Sequence, residues 1–367
     1  MANTGVVARR TGHDDRPAAH HQTRRTNPTP AKPSRTGSSL AQEVASDGLS
    51  VIRESYIRLG LSKTAIDTIM QSWRSSTVSQ YRPYIQLWVT FASPRCDCLS
   101  PPAKEVVEFL CDLHVKKYTY NQICMARSAV SSVVSAGSEV TVGKHPLVKR
   151  FMKGLFELEP QFPRYKFVWD VSVLFRYLRM LDDPCNLTLN VLGKKLAILI
   201  CILAGGQRCQ TIHAIDVLHI KIVNGVCYIP IYTKLKHTRK GHHLAPMNFR
   251  VYNKEPKLCV VTNLTEYLKR THDKRTDGFL FISYQKPHKR VSKDTISRWV
   301  KEMMRSAGVN PDFVSHSSRS AASSCAAERG VSLREICEAC GWTNEKTFAA
   351  HYKKEIITRN VAEALLK

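Results

Sequence analysis

The chain has 367 residues, with 55 Lys or Arg against 30 Asp or Glu, a formal charge of +25 at pH 7, and 43% hydrophobic residues. That length is too great for one small core and predicts about two domains of roughly 100–200 residues each. The cationic excess argues against a basic partner and favours a polyanion, nucleic acid first, because each phosphate neutralised by Lys or Arg releases counterions.

Residues 1 to about 47 are rich in Thr, Ser, Pro, His and Arg with almost no large apolar residue. Such a segment cannot offset its ordering entropy, so a disordered basic arm is expected. It carries Arg9, Arg10, Arg24 and Arg25, a set that serves as a solvated tail, a DNA contact or a nuclear address. From 50 to 158 the pattern is helical. Ser75, Ser76 or Thr77 is placed to cap a helix in which Tyr81, Ile85, Trp88 and Val89 recur at helical spacing. Val106, Phe109, Leu110 and Leu113 repeat the pattern after Pro101 and Pro102. A third helix turns Ile123, Val130, Val133 and Val134 inward and leaves Asn121, Arg127, Ser128 and Ser131 on its other side. Lys116, Lys117, Tyr118 and Tyr120 precede it. Basic residues interleaved with Tyr, Asn and Ser suit phosphate and groove contacts, although solvation explains any one of them. A second basic cluster, with Lys149 and Arg150, runs toward Pro160–Pro163, the expected domain boundary.

The second domain, expected over 165–367, opens with helical text from Val168 to Leu181 and from Val191 to Ala204. The period then changes. His219–Val223, Asn224-Gly225 and Val226–Ile231 form a type I′ hairpin signal. A third strand is expected over His243–Phe249, after a basic turn, TKLKHTRKGHH, that holds Lys234, Lys236 and Arg239. Helical patterns return at Val260–Arg270 and Asp294–Ala307 and continue to the end. The fold class expected is mainly α with a small antiparallel β-sheet. No apolar run reaches the roughly 18 residues that span a bilayer, so no membrane partner is expected. Twelve cysteines are scattered through apolar patterns with no leader segment expected ahead of them, which predicts reduced thiols inside a cell. The close pairs Cys96/Cys98 and Cys337/Cys340 lack a second pair at zinc-finger spacing, so no metal site is expected.

Cleaving a phosphodiester without a metal requires two guanidinium groups on the non-bridging oxygens, an in-line nucleophile, and an acid for the leaving 5′ oxygen. The chain holds a candidate for each part. Arg208 lies in GGQRCQT, and His316 and Arg319 stand three apart, so one helical turn brings both toward one phosphate. Lys236 in its turn has a flexible ammonium that donates a proton. Trp342, an obligate donor, follows Gly341, and Tyr352 comes ten residues later, after Phe348. His351, beside Tyr352, faces another direction on a helix. Each residue alone reads as ordinary packing or solvation; their joint order points to one site.

Arg208, Lys236, His316-x-x-Arg319, Trp342 and Tyr352 occur in the order of the tyrosine recombinase (phage integrase) family. Over about residues 70–360 the text most resembles recombinases of DIRS-like, Ngaro-type retrotransposons, in SWRSSTVSQY, HPLVKRFMKGLF, GGQRCQTIH, LKHTRKGHHL, LCVVTNLTEYL and GWTNEKTFAAHY. The resemblance implies a helical, SAM-like core-binding domain that clamps DNA, followed by a catalytic domain. It implies that Tyr352 attacks the scissile phosphate to give a 3′-phosphotyrosyl bond and a free 5′ hydroxyl, with the energy kept in that bond, so that no cofactor, ATP or metal is needed. Arg208 and Arg319 would clamp the phosphate, Lys236 or Lys234 would protonate the leaving oxygen, His316 would assist at the tyrosine, and Trp342 would donate a hydrogen bond. The family often has an acidic residue three positions after its first arginine, where this chain has Thr211. Lys116, Lys117, Tyr120, Asn121, Arg127, Lys149, Arg150 and Arg239 would contact DNA. Partners implied are double-stranded DNA, further copies of the chain as a tetramer on two sites, and an element-encoded reverse transcriptase on another chain, with nuclear localisation. A type IB topoisomerase and a non-catalytic DNA-binding descendant of a mobile element stay open beside this reading.

Overall fold

The computed structural model describes residues 48–134, 141–162, 164–236, 238–241 and 243–357. The basic arm over 1–47 and the apolar tail over 361–366 therefore lie outside the described residues. The chain divides into two compact units, Met1–Phe162 and Pro163–Lys367.

The first unit is built from α1 (Gly48–Arg58), α2 (Lys63–Met70), α3 (Ser75–Ala92), α4 (Ala103–Val115), α5 (Tyr120–Val134) and α6 (Pro146–Leu158). Arg74 holds the N-cap position of α3, and Ser75, Ser76 and Thr77, the expected caps, lie within its first turn. Along α5, Ile123, Ala126, Val130 and Val133 recur three or four residues apart and are completely buried, the spacing that lines one helical face. Trp88 fills the centre, edge-on to Phe109 with ring centroids 5.3 Å apart. Its indole N–H donates to the Cys98 carbonyl at 2.9 Å, so the large apolar body is buried with its one polar atom satisfied.

The second unit begins with β1 (Phe167–Trp169), α7 (Val171–Met180), α8 (Leu189–Leu203) and α9 (Cys209–His213). The strands β2 (Lys221–Val223), β3 (Val226–Ile229) and β4 (Met247–Arg250) follow. It ends with α10 (Val260–Thr271), α11 (Lys293–Ser306), α12 (Ser317–Glu328), α13 (Leu333–Cys340), α14 (Glu345–His351) and β5 (Glu355–Ile357). The apolar run Leu196–Ile202 makes α8 the buried axis of the unit, with α10 and α11 packed on it. No helix among the described residues is long and apolar enough to cross a membrane.

The β2–β3 hairpin turns at Asn224 and Gly225, whose φ angles of 50° and 72° are those a type I′ turn requires. β4 pairs antiparallel with β3, with Cys227 opposite Phe249 and Ile229 opposite Met247 on the buried face. It starts at Met247, four residues later than expected. The helical text expected from Val168 begins instead with β1, which pairs in parallel with β5, Val168 opposite Ile356. The unit therefore carries a two-stranded parallel pair beside the small antiparallel sheet, and the chain is not helical to its end. Neither strand has three residues of alternation to announce it; each forms because the other is there.

Lys195 is the odd residue of α8. It is wholly buried, its Nζ has no hydrogen-bond partner, and burial, then the charge of Lys257, lowers its pKa to about 8 against the pull of Asp183 and Asp182. Between about pH 8 and its ordinary 10.5 the unfolded chain binds the extra proton, so stability climbs with pH through that window and its cost is fully present below it. Lys195→Met is expected to raise unfolding stability at pH 7 by about 1–3 kcal/mol and to flatten that climb, as read by thermal melts from pH 7 to 10.

Candidate active site

The site is assembled where the α8–α9 turn meets α12 and the end of α13. Gly205 and Gly206 both adopt positive φ, 79° and 81°. A Cβ on Gly206 would stand 2.6 Å from the Arg319 Cα, so only glycine lets this turn lie against α12. The turn delivers Arg208 to the N-cap of α9, half-buried. Thr211 is buried at 1% exposure, so the place where an acidic neighbour was looked for holds a packed hydroxyl.

Arg319 lies in the first turn of α12 at 1% exposure. Its two terminal nitrogens donate to the Gly206 carbonyl at 2.9 Å and the Cys340 carbonyl at 2.5 Å, while its Nε–H has no partner. Burial draws its pKa below the ordinary value, and an arginine retains its charge even so. His316 is at the N-cap of the same helix and stays exposed. Partial desolvation, then the charges of Arg319, Arg208 and Lys236, lowers its pKa, so its imidazole is neutral at neutral pH.

A capping box between Ser332 and Glu335 starts α13, and Gly341 ends it in the left-handed conformation at φ 66°. The chain then turns Trp342 inward over Arg319, whose guanidinium carbon is 4.5 Å from the indole centroid. The buried Trp342 Nε1–H, like the Arg319 Nε–H, pairs with nothing. Asn344 caps α14 through Lys346 N at 2.7 Å, and Phe348 is buried under Trp342. Tyr352 stands at the far end of α14, its ring 4.4 Å from that of Trp342, 6.2 Å from that of His316, and 5.5 Å from the Arg319 guanidinium carbon. Its backbone carbonyl accepts from Ser324 Oγ at 2.9 Å, which ties the tyrosine to the helix that bears Arg319. One chain thus brings Arg319, His316, Trp342 and Tyr352 together, and Arg208 and Lys236 act electrostatically on the same imidazole.

Arg208, His316 and Arg319 line a cleft of about 240 Å³ together with Gln207, Cys209 and Lys293. A liquid water occupies roughly 30 Å³, so the cleft admits a tetrahedral phosphate with its ester oxygens. The unpartnered Arg319 Nε–H, costing about 1–3 kcal/mol while unsatisfied, belongs to a residue that lines this cleft, whereas Trp342, with its own unpartnered N–H, is not among the lining residues. Asp294 is the one carboxylate among the described residues that line it. Lys236 is exposed in a tight turn closed by the Thr238 N–H donating to the Leu235 carbonyl at 3.1 Å, within the long connection between β3 and β4. His351 points to solvent. Cys337 and Cys340 are buried free thiols, and burial pushes Cys340 up to about 11.

The proposed DNA contacts divide by exposure. Lys117, Asn121, Lys149, Arg150 and Arg239 are exposed, Lys117 in a left-handed turn at φ 65°. Lys116 is exposed but bonded to Asp112 at 2.7 Å, and Arg127 is half-buried. Tyr120 packs edge-on to Phe156 at 5.6 Å. Ser128 and Ser131 turn their hydroxyls back onto the Cys124 and Arg127 carbonyls of their own helix. Sequence reasoning missed Gly206, Gln207 and Lys293. The Gly-Gly doublet was the available signal for the first, and nothing local marks the other two.

Residues 177–356 match the model of the phage integrase family. Among solved structures, the XerH site-specific recombinase bound to difH substrate, in its pre-cleavage complex, is 13% identical, with 86% of this chain and 94% of that chain covered and a TM-score of 0.55. The Tn1549 transposon integrase in complex with circular intermediate DNA is 12% identical over 86% and 99%, with a TM-score of 0.52. The lambda integrase tetramer bound to a Holliday junction is 15% identical over 86% and 80%, with a TM-score of 0.51. At such identities the likeness is one of fold. No curated protein sequence matches this chain.

Proposed function

We propose that the chain, whose residues 177–356 match the phage integrase family, is a tyrosine recombinase that cuts and rejoins DNA at specific sites through a 3′-phosphotyrosyl link to Tyr352. The observation that carries this reading is the convergence of Arg319, His316 and Trp342 on Tyr352, with two buried N–H donors left unpartnered beside it.

In this reading the scissile phosphate enters the cleft and takes the Arg319 and Trp342 donors together with Arg208. The fork of each guanidinium matches the non-bridging oxygens and offsets the charge that grows on them. The Tyr352 phenol gives its proton toward neutral His316 as its oxygen attacks phosphorus. The P–O bond to the 5′ oxygen breaks, and that oxygen takes a proton from Lys236, whose charge already acts on His316. Each bond broken is matched by one formed, so the step is reversible: a 5′ hydroxyl from another strand attacks the phosphotyrosine and releases Tyr352. Since His316 must be neutral to accept the proton, the cleavage rate is expected to fall in acid through a pKa below the usual histidine value. His316→Ala should lose that limb in single-turnover rates from pH 5 to 8.

The wider role belongs to the same proposal. The resemblance of GWTNEKTFAAHY and its companion phrases supports a mobile element of the DIRS-like, Ngaro type, with any reverse transcriptase on another chain and the DNA substrate in the nucleus. The lambda integrase tetramer on a Holliday junction supports assembly as a tetramer on two sites, and the first unit serves as the core-binding clamp. The test is a nicked suicide substrate carrying candidate terminal repeats: a covalent protein–DNA adduct is expected, and its absence on every repeat would leave a DNA-binding protein without catalysis. Relaxation of plasmid with no recombinant product would instead identify a topoisomerase.

A further inference from the structure

The reacting groups arrive from two stretches of chain that share no local sequence. Residues 204–207 introduce Arg208, and α13 introduces Trp342 and Tyr352. Three contacts join these stretches. Arg319 bridges them, donating to Gly206 on one side and Cys340 on the other. The Cys340 thiol donates to the Gly205 carbonyl at 2.9 Å, a weak bond because S–H is a poor donor. The third is the Gln207 side chain. At 3% exposure, its carboxamide nitrogen donates to the Ala204 carbonyl at 3.0 Å and also to the Ala339 carbonyl. Both partners are carbonyl oxygens, so chemistry fixes which end of the amide is the nitrogen.

Arg319 is required by the phosphate and cannot alone set the spacing of the two stretches. Gln207 spends both of its N–H groups on main-chain carbonyls, one from each stretch. We propose that Gln207 is a positioning residue, a strut that holds the Trp342–Tyr352 segment in register with the Arg208 and Arg319 clamp. Its backbone is fixed as well: Gln207 N donates to the Cys201 carbonyl at 2.8 Å, and its carbonyl accepts from the Cys201 thiol at 3.3 Å. The strut is therefore anchored in buried α8 and reaches to the last turn of α13. A displacement of about 1 Å between nucleophile and clamp costs on the order of 10²-fold in rate, and Gln207, which also lines the cleft, joins the two stretches through its carboxamide.

This inference rests on Tyr352 cleaving DNA, so its experiment includes the wild-type adduct as the measure of that reading. Gln207→Met keeps length and removes both donors, Gln207→Glu puts a carboxylate against two carbonyls, and Gln207→Lys restores donors. Single-turnover cleavage at saturating DNA is expected to fall about 10- to 100-fold in the Met variant and further in the Glu variant, with Lys recovering to within about threefold of wild type. Site affinity, measured in a Tyr352→Phe background, should stay within about twofold of the wild-type Gln207 protein for Met and Lys. A rate order of wild type, then Lys, then Met, then Glu, with site affinity of the Met variant held, identifies positioning. Wild-type cleavage by Gln207→Met, or rates that track each variant's unfolding temperature, would overturn the proposal while the wild-type adduct leaves the recombinase reading standing. No adduct from wild type would sink the reading itself.

Discussion

Tyr352→Phe is expected to abolish the covalent protein–DNA adduct while the protein stays folded and bound to DNA. The loss should exceed about 10⁴-fold, the scale on which removal of a nucleophile is felt, because Phe has no oxygen to form the bond to phosphorus. The reason the variant should survive is geometric. The Tyr352 ring lies 4.4 Å from that of Trp342, tilted by 32°, and its main chain is held by Ser324 and Phe348, and phenylalanine keeps all of these. Only the hydroxyl is lost, worth about 0.5–1.5 kcal/mol as a hydrogen-bonding group. A nicked substrate, resolved on a denaturing gel beside a binding assay, separates the two outcomes. An adduct that persists in Tyr352→Phe would move the nucleophile elsewhere.

Arg319→Ala is expected to fail twice, in chemistry and in folding. The guanidinium is buried and answers the carbonyls of Gly206 and Cys340. Its removal strands two acceptors, opens a cavity under Trp342, and takes half of the phosphate clamp. Each stranded group costs about 1–3 kcal/mol, so the loss of stability should reach about 2–5 kcal/mol. Arg319→Lys tests the division of labour: it retains charge, but a single ammonium cannot reproduce the planar fork. It should recover part of the stability and little of the cleavage. Thermal melts and single-turnover rates measured on the same preparations decide this, and full cleavage by the lysine variant would refute the fork.

Most of what repeats locally was legible. The helices of the first unit follow apolar spacing that leaves little choice, as along α5 from Ile123 to Val133. The Asn224-Gly225 turn was equally plain, because few dipeptides accept two positive φ angles in succession. The pairing of β1 with β5 was not legible, since three residues carry no period and their partner lies nearly two hundred positions away. Lys236 was identified by its text, and its turn was legible too, whereas the length of the connection that holds it follows from where β4 begins.

The sequence by itself determined the two-part organisation expected for its length, the helical character, and the residues proposed for the chemistry: Arg208, Lys236, His316, Arg319, Trp342 and Tyr352. Their order and type are properties of a string and need no coordinates. Only the tertiary structure decided that Arg319 answers two carbonyls and leaves its Nε–H without a partner, that Trp342 leaves its donor open, and that Gln207 spans the two stretches. The physical reason is that hydrogen-bond satisfaction and burial are relations between distant segments. A residue's identity states what it is able to donate, and only the packed chain states what is left to receive it.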